Sequence, residues 1–178
     1  ELGWSRERAT ALIGLIMVAL LFDFLNGLHD AANSIATIVS TRVLRPHYAV
    51  FWAAFFNFIA FLFFGLQVAQ TIGTGIIDAS AVDARVVFGA LMGAITWNVI
   101  TWAFGIPSSS SHALIGGLVG AGVAKNGIGA IVWGGLGKTG AAIFVSPLIG
   151  FSLALLFILI VSWMLVRATP FAVDNAFR

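Results

Sequence analysis

The sequence contains no cysteine, which removes disulfides, thiolate nucleophiles, cysteine-ligated zinc and iron–sulfur clusters together. Redox chemistry therefore leaves the compartment undecided. Charge is nearly as scarce: 9% of the 178 residues are Asp, Glu, Lys or Arg, against roughly a quarter in soluble domains. With 60% hydrophobic residues and a mean hydropathy of +1.04, the chain belongs in a bilayer. Each helical crossing takes about 20 apolar residues, so the length allows a handful of spans and no large soluble domain. The nine Lys and Arg lie singly or in pairs at segment ends, as at Arg6/Arg8, Arg42/Arg45, Arg85 and Arg167, and read as interfacial anchors. No basic stripe interleaved with aromatics is present, which argues against a nucleic-acid partner. Sixteen Phe and six Trp suit lipid contact and interface belts instead. No initiator Met or signal-peptide pattern opens the chain at Glu1, and a fragment or processed form is expected.

Ala9 to Leu25 is the first long apolar run, and at its end FDFLNGLHDAANS places Asp23, Asn26, His29, Asp30 and Asn33 close together, with Gly27 among them. The apolar pattern resumes from Ile35 to Val43 and reaches Pro46. A straight helix over 9 to 43 would overshoot a core of about 30 Å, so a break flanked by two partial helices is expected. Tyr48 to Val68 reads as a lipid-facing span with Asn57 as its strongly polar interior residue, and Gln70 to Asp83 as a loop. Val86 to Phe104 is another crossing, marked on one face by Thr96, Asn98 and Thr101. GIPSSSSH then breaks the chain, and His112 to Ala124 is a half-helix whose Gly116 and Gly120, with Gly117 and Ala121 beside them, predict tight packing on another helix. Lys125 to Lys138 is ambiguous; Thr139 to Val166, with Pro147 near its start, is the last long run; FAVDNAFR reads as a polar tail at the surface. Basic residues at nearly every turn leave the orientation open.

Broken helices at membrane depth survive only where protein, water or a ligand satisfies the freed backbone groups. Discontinuous helices with N-termini facing an anion are how many secondary transporters hold substrate. In PSSSSH, Pro107 ends the preceding helix, while Ser108, Ser109, Ser110 and Ser111 supply hydroxyls and N–H groups at the positive end of the next one. That is a cradle of donors without formal charge; the plainer reading is that one serine caps the half-helix. The other break brings the Asp30 carboxylate, the Asn26 and Asn33 amides and the hydroxyls of Ser34 and Thr37, a set suited to Na⁺ or H⁺. An intramembrane carboxylate is a functional candidate by default, with a structural pairing to another helix as the alternative. Asn57 and Asn98 read as interhelical glue, and His47 as a boundary residue.

GLHDAANSIATIVSTRVLRP and GIPSSSSHALIGG together resemble the inorganic phosphate transporter (PiT) family, whose common signature runs Gly-Ala-Asn-Asp-Val-Ala-Asn-Ala. The signature matches at Gly27, Asp30, Ala32 and Asn33, and the serine loop from Pro107 through His112. Members carry two inverted copies of a repeat, and this chain shows one signature and one serine loop. The resemblance thus implies the N-terminal repeat of a bacterial member, with ion coupling at Asp30 and Asn33 and phosphate coordination at Ser108 to Ser111 and His112; the donor chemistry of the break adds Asn26, Ser34 and Thr37 to the coupling set, and His29, beside Asp30, completes it. His29 stands where the signature commonly has Asn, which resembles the branch that uses a proton gradient and takes phosphate as a neutral complex with a divalent metal. The resemblance implies no cofactor and leaves the coupling ion as H⁺ or Na⁺.

The expected fold is all-α: a polytopic membrane protein with discontinuous helices and half-helices, one repeat of an inverted-repeat transporter. It forms a single membrane domain over 1–178, with the discontinuous segment at about 9–43 and the serine loop and half-helix at about 105–124. The expected setting is the inner (plasma) membrane, multi-pass, and the partners are inorganic phosphate, the lipid bilayer and a second inverted repeat on the same parent polypeptide or a paired chain. The expected function is secondary active symport of inorganic phosphate, driven by a proton or sodium gradient. A passive anion or small-solute channel built from two half-helices is the alternative, opposed by Asp30, whose fixed charge obstructs an anion pore unless a cation travels along. An intramembrane hydrolase is disfavoured, because neighbouring Ser111 and His112 seldom reach the ~3 Å that a nucleophile and its base require. No enzyme is expected.

Overall fold

A backbone in hydrocarbon must satisfy its own N–H and C=O groups, and long apolar runs without strand alternation do so as helices. The computed structural model describes residues 6–64 and 75–177. Among these are six α-helices: α1 (Arg6–Ser40), α2 (Pro46–Phe64), α3 (Ala84–Ala103), α4 (Ser110–Asn126), α5 (Trp133–Leu165) and α6 (Pro170–Phe177). Two short 3₁₀ turns, Ala79–Ala81 and Ile128–Ala130, complete the set, and the fold is all-α. Helices α1, α2, α3 and α5 are long and apolar enough to cross a membrane. Helix α4 has 17 residues, a length of about 26 Å, and remains the short element that the serine break suggested.

The break expected within 9–43 does not occur: α1 runs unbroken for 35 residues through Asn26, Gly27 and Asp30. Two of its polar side chains turn back on its own carbonyls, His29 onto Leu25 and Ser34 onto Asp30, each at 2.8 Å. Others sit on one stripe facing α2, so polarity is accommodated without releasing backbone groups. Pro147 likewise leaves α5 continuous. The terminal FAVDNAFR segment, expected as a tail, is helical over Pro170–Phe177.

The chain divides into two compact units, Glu1–Gly135 and Leu136–Arg178. In the first, Phe22 of α1 with Leu91 and Ala94 of α3 forms a buried cluster, packed by Leu15, Val18, Ala19, Val87, Ile95, Ala113 and Leu114. Early α1 residues (Ala11, Gly14, Leu15, Val18) share a groove with early α3 residues (Ala84, Arg85, Phe88), whereas Phe22 meets Leu91 and Ala94. The two helices therefore run parallel. Helices α3 and α4 run antiparallel, from the Asp83–Lys125 ion pair at 3.0 Å to the Thr101–Ser108 hydroxyl contact at 2.8 Å. Between these ends the helices touch backbone to backbone: a Cβ on Gly117 would run into the carbonyl of Ala90. Gly127, at φ 75°, ends α4 with its N–H donated to Val123. The chain then returns along Ile76–Asp78, where the Val132 N–H donates to Ile76 O and the Asp78 N–H to Ala130 O, both at 2.9 Å. In the second unit, the α5 residues are almost all exposed and none is buried, the pattern of a helix dressed for lipid.

The α3–α4 contact yields a paired test. Gly117→Ala should destabilise the protein by about 1–3 kcal/mol, the usual cost of overpacking, whereas Gly116→Ala, whose Cβ meets nothing within 4 Å, should leave it as stable or slightly more so. Thermal unfolding in detergent measures both, and equal melting temperatures for the two variants would contradict the close approach.

Asp83 caps α3 through the Val86 N–H at 3.0 Å. That bond first, and the hydrogen bond with Lys125 second, hold its carboxyl below the ordinary 3.8. Because the folded value is the lower one, its contribution is present above that range and is lost as pH falls from about 3.8 through the folded value. Asp83→Asn should accordingly flatten the acid limb of unfolding without moving the neutral plateau by much, since the pair is solvent-screened.

Candidate functional site

Helix periodicity sorts the signature residues of α1 onto different faces. Asp23, Asn26, Gly27, Asp30, Asn33 and Ser34 recur at three- and four-residue spacing, and with Asn57 and Phe61 of α2 they line a groove of about 740 Å³. This groove offers two carboxylates, three amides and one hydroxyl, with no basic side chain in its lining. Such a donor set is chemically suited to a cation or a proton rather than to a bare anion. Thr37 continues the stripe by spacing but is not among the lining residues.

His29 is one residue from Asp30 and about 100° around the helix from it. It shares the face of Leu15 and Phe22 that meets α3, at heptad spacing. Its Nδ1–H donates to the Leu25 carbonyl at 2.8 Å, which leaves Nε2 as the ring nitrogen without a partner on α1. That nitrogen is buried and unpartnered.

The serine loop is distributed in the same way. Ser109 is the N-cap of α4, accepting the His112 N–H at 3.4 Å, so it does what the plainer reading assigned to one of the four. Ser109 and His112 also line a groove of about 400 Å³ with Gly93, Trp97, Ala113, Gly116 and Gly117. Its floor is glycine, and a ligand there could approach the backbone at the positive end of α4. Ser108 shares a hydroxyl hydrogen bond with Thr101, itself 1% exposed. Ser110 turns inward, 2% exposed and unpartnered, while Ser111 is exposed. The four serines do not converge on one point: Ser109 and His112 share a groove, whereas Ser108 and Ser110 are committed to the packing of α3 on α4.

Two polar regions result, and they share no lining residue. Sequence reasoning brought Asn26, Asp30, Asn33 and Ser34 together, and the structure adds Asp23 and Asn57 to them. The signal was legible: Asn57 is the strongly polar residue inside an otherwise apolar span. Trp97 was unmarked as a site residue, because a tryptophan in a membrane helix reads as an anchor. Among the described residues no group of three His, Asp or Glu side chains is placed to hold a metal ion.

Residues 26–177 match the sequence model of the phosphate transporter family. The chain is 77% identical to a protein of Rhizobium meliloti named a probable low-affinity inorganic phosphate transporter, over 94% of this chain and 50% of that protein. It is 42% identical to a protein of the same name from Bacillus subtilis, over 92% of this chain and 50% of that one. A solved structure of a sodium-dependent phosphate transporter superposes with a TM-score of 0.79 at 30% identity, covering 86% of this chain and 40% of that one. The chain spans about half the length of the two bacterial relatives.

Proposed function

The chain belongs to the phosphate transporter family, and on that premise we propose that it forms one of two inverted repeats of a secondary active symporter of inorganic phosphate. The observation that carries this reading is the pairing of complementary polar regions in a membrane protein: a groove of carboxylates and amides on α1 and α2, and an uncharged donor groove at the N-terminus of α4. Phosphate is held by the α4 N-terminus with Ser109 and His112, and Ser111 lies at the same end. The coupling ion is held by Asp30 with Asn26, Asn33 and Ser34. The hard oxygen donors of that groove suit Na⁺, in keeping with the sodium dependence of the structurally similar transporter; a proton on Asp30 satisfies the same charge balance. A second repeat closes both grooves, either from the same polypeptide or from a paired chain, and the protein works in the plasma membrane. Transport needs no covalent step, so no enzymatic role is assigned.

Proteoliposomes containing the full-length parent protein test this with Na⁺ and H⁺ gradients imposed separately. Phosphate should accumulate beyond its own equilibrium under one of them; equilibration without accumulation would point to the passive channel and overturn symport.

Asp30→Asn removes the charge that binds the coupling ion and should abolish concentrative uptake while the protein remains folded, as judged by an unchanged gel-filtration profile. Wild-type accumulation by that variant would remove Asp30 from coupling.

Ser109→Asp separates capping from anion binding. Aspartate is as good an N-cap as serine, so the melting temperature should hold, but its charge at the mouth of the cradle should raise the apparent phosphate KM about tenfold or more, equivalent to about 1.4 kcal/mol or more. An unchanged KM would place the phosphate elsewhere.

A further inference from the structure

The apolar contact of α1, α3 and α4 continues into a polar one. Phe22, Leu91 and Leu114 pack together. One heptad beyond Phe22 stands His29, one heptad beyond Leu91 stands Asn98, and four residues before Leu114, on the antiparallel helix, stands Ser110. Helices α1 and α3 are parallel and α4 is antiparallel to both; the α3–α4 register, in which Ala90 meets Gly117 and Thr101 meets Ser108, sets Asn98 opposite Ser110, and His29 lies a heptad past Phe22 at about that level, past the cluster. Asn98 is 0% exposed and Ser110 2% exposed. His29 Nε2, both side-chain polar atoms of Asn98, and Ser110 Oγ are all buried without a hydrogen-bond partner. Four such atoms at one level, contributed by three different helices, are costly to leave unsatisfied.

We propose that this junction is an internal water site, and that Asn98 is the positioning residue that ties α1 to the start of α4 through it. The donor and acceptor inventory fits water. Asn98 Oδ1 accepts, Asn98 Nδ2 donates, and His29 Nε2 and the Ser110 hydroxyl can do either; water supplies two donors and two acceptors, so it meets any of these, and buried waters commonly bridge such groups. An anion is excluded by its size against an Asn98 that no solvent reaches, and by the Asn98 oxygen facing it. A bound metal cation has no carboxylate here to balance it. The consequence concerns coupling and rests on the reading of the two grooves given above. Helix α1 carries the cation groove on one stripe and His29 on the next, while Ser110 lies beside the cap of the helix whose N-terminus faces phosphate. A water bridge between His29, Asn98 and Ser110 passes a rearrangement at one groove to the other, because neither helix can shift without breaking it.

Two arms test this on the full-length parent protein in lipid. In the first, solid-state NMR of ¹⁵N-histidine compares wild type with Asn98→Leu and Ser110→Ala, with His29 assigned by His29→Gln. The His29 Nε2 signal should be that of a hydrogen-bonded ring nitrogen with a cross-peak to water, and should move in both variants. In the second, the factor by which the coupling ion lowers the phosphate KM should fall by about threefold or more in both variants, within the usual range of coupling between sites. The KM without the ion should change less than that, a split that mere loss of packing does not produce. Absence of the water cross-peak overturns the site. A water signal with an undiminished coupling factor overturns the positioning role of Asn98. A parent protein that transports no phosphate refutes the symport reading and with it the coupling consequence, while the NMR arm still decides the water site. Ser110→Ala guards against Asn98→Leu failing to fold, since it trims one hydroxyl from the first turn of α4.

Discussion

The backbone contact between Gly117 and Ala90 fixes what the rest of this structure can do. A side chain at position 117 would hold α3 and α4 apart, and every interaction along that seam depends on their approach. From that point the antiparallel register runs one way through Gly89 and Ala121 to the Asp83–Lys125 pair and the other way to Thr101 and Ser108. The serine loop is thus anchored by a packing contact more than two helical turns away. Small residues do this in membranes because lipid offers helices no hydrophobic reason to associate; close van der Waals contact and hydrogen bonds must supply it.

The same constraint explains why polar groups cluster as they do. Helices α2 and α5 present Phe, Leu and Ile outward along most of their length, as a lipid-facing helix must. Polar side chains gather instead on two stripes of α1 that lie side by side, one lining an open groove with α2 and one packed against α3. One turns Asp23, Asn26, Asp30 and Asn33 toward α2; the other turns Leu15, Phe22 and His29 toward α3. An intramembrane carboxylate is expensive to expose to hydrocarbon, which ties the groove to water, to an ion or to further protein at that place.

Much of this was legible in the sequence, and the failures have physical causes. Hydropathy located α2, α3 and α5 because spans of that length leave a chain little choice. The serine break was legible too: Pro107 cannot donate its nitrogen and Gly105 takes a φ of 64°, so two residue types combine to end α3. The break in α1 was not there because nothing forces it. Gly27 permits a bend but no proline demands one, and a helix longer than the hydrocarbon is thick can tilt or extend past it. The polar residues at membrane depth do share a groove beside the helix, but the interruption expected within it is absent. Asn98 reads as glue from sequence alone; only its full burial without a partner distinguishes it from the interhelical hydrogen bonds that asparagines ordinarily make.

His29 and Asp30 show how far adjacency in sequence departs from adjacency in function. A signature motif invites the reading that its residues act on one ligand, and a broken backbone would have allowed that, since unwound residues can converge. A continuous helix forbids it: consecutive side chains diverge by about 100°, so the pair must serve two surfaces. That divergence is useful in a carrier, where two ligands must sense each other without touching. A continuous helix that presents one residue to the α1–α2 groove and the next to the α3–α4 seam turns any rotation or tilt at one surface into a displacement at the other. On the symport reading proposed above, α1 itself is then a coupling element, and its continuity through the signature is what would transmit the motion.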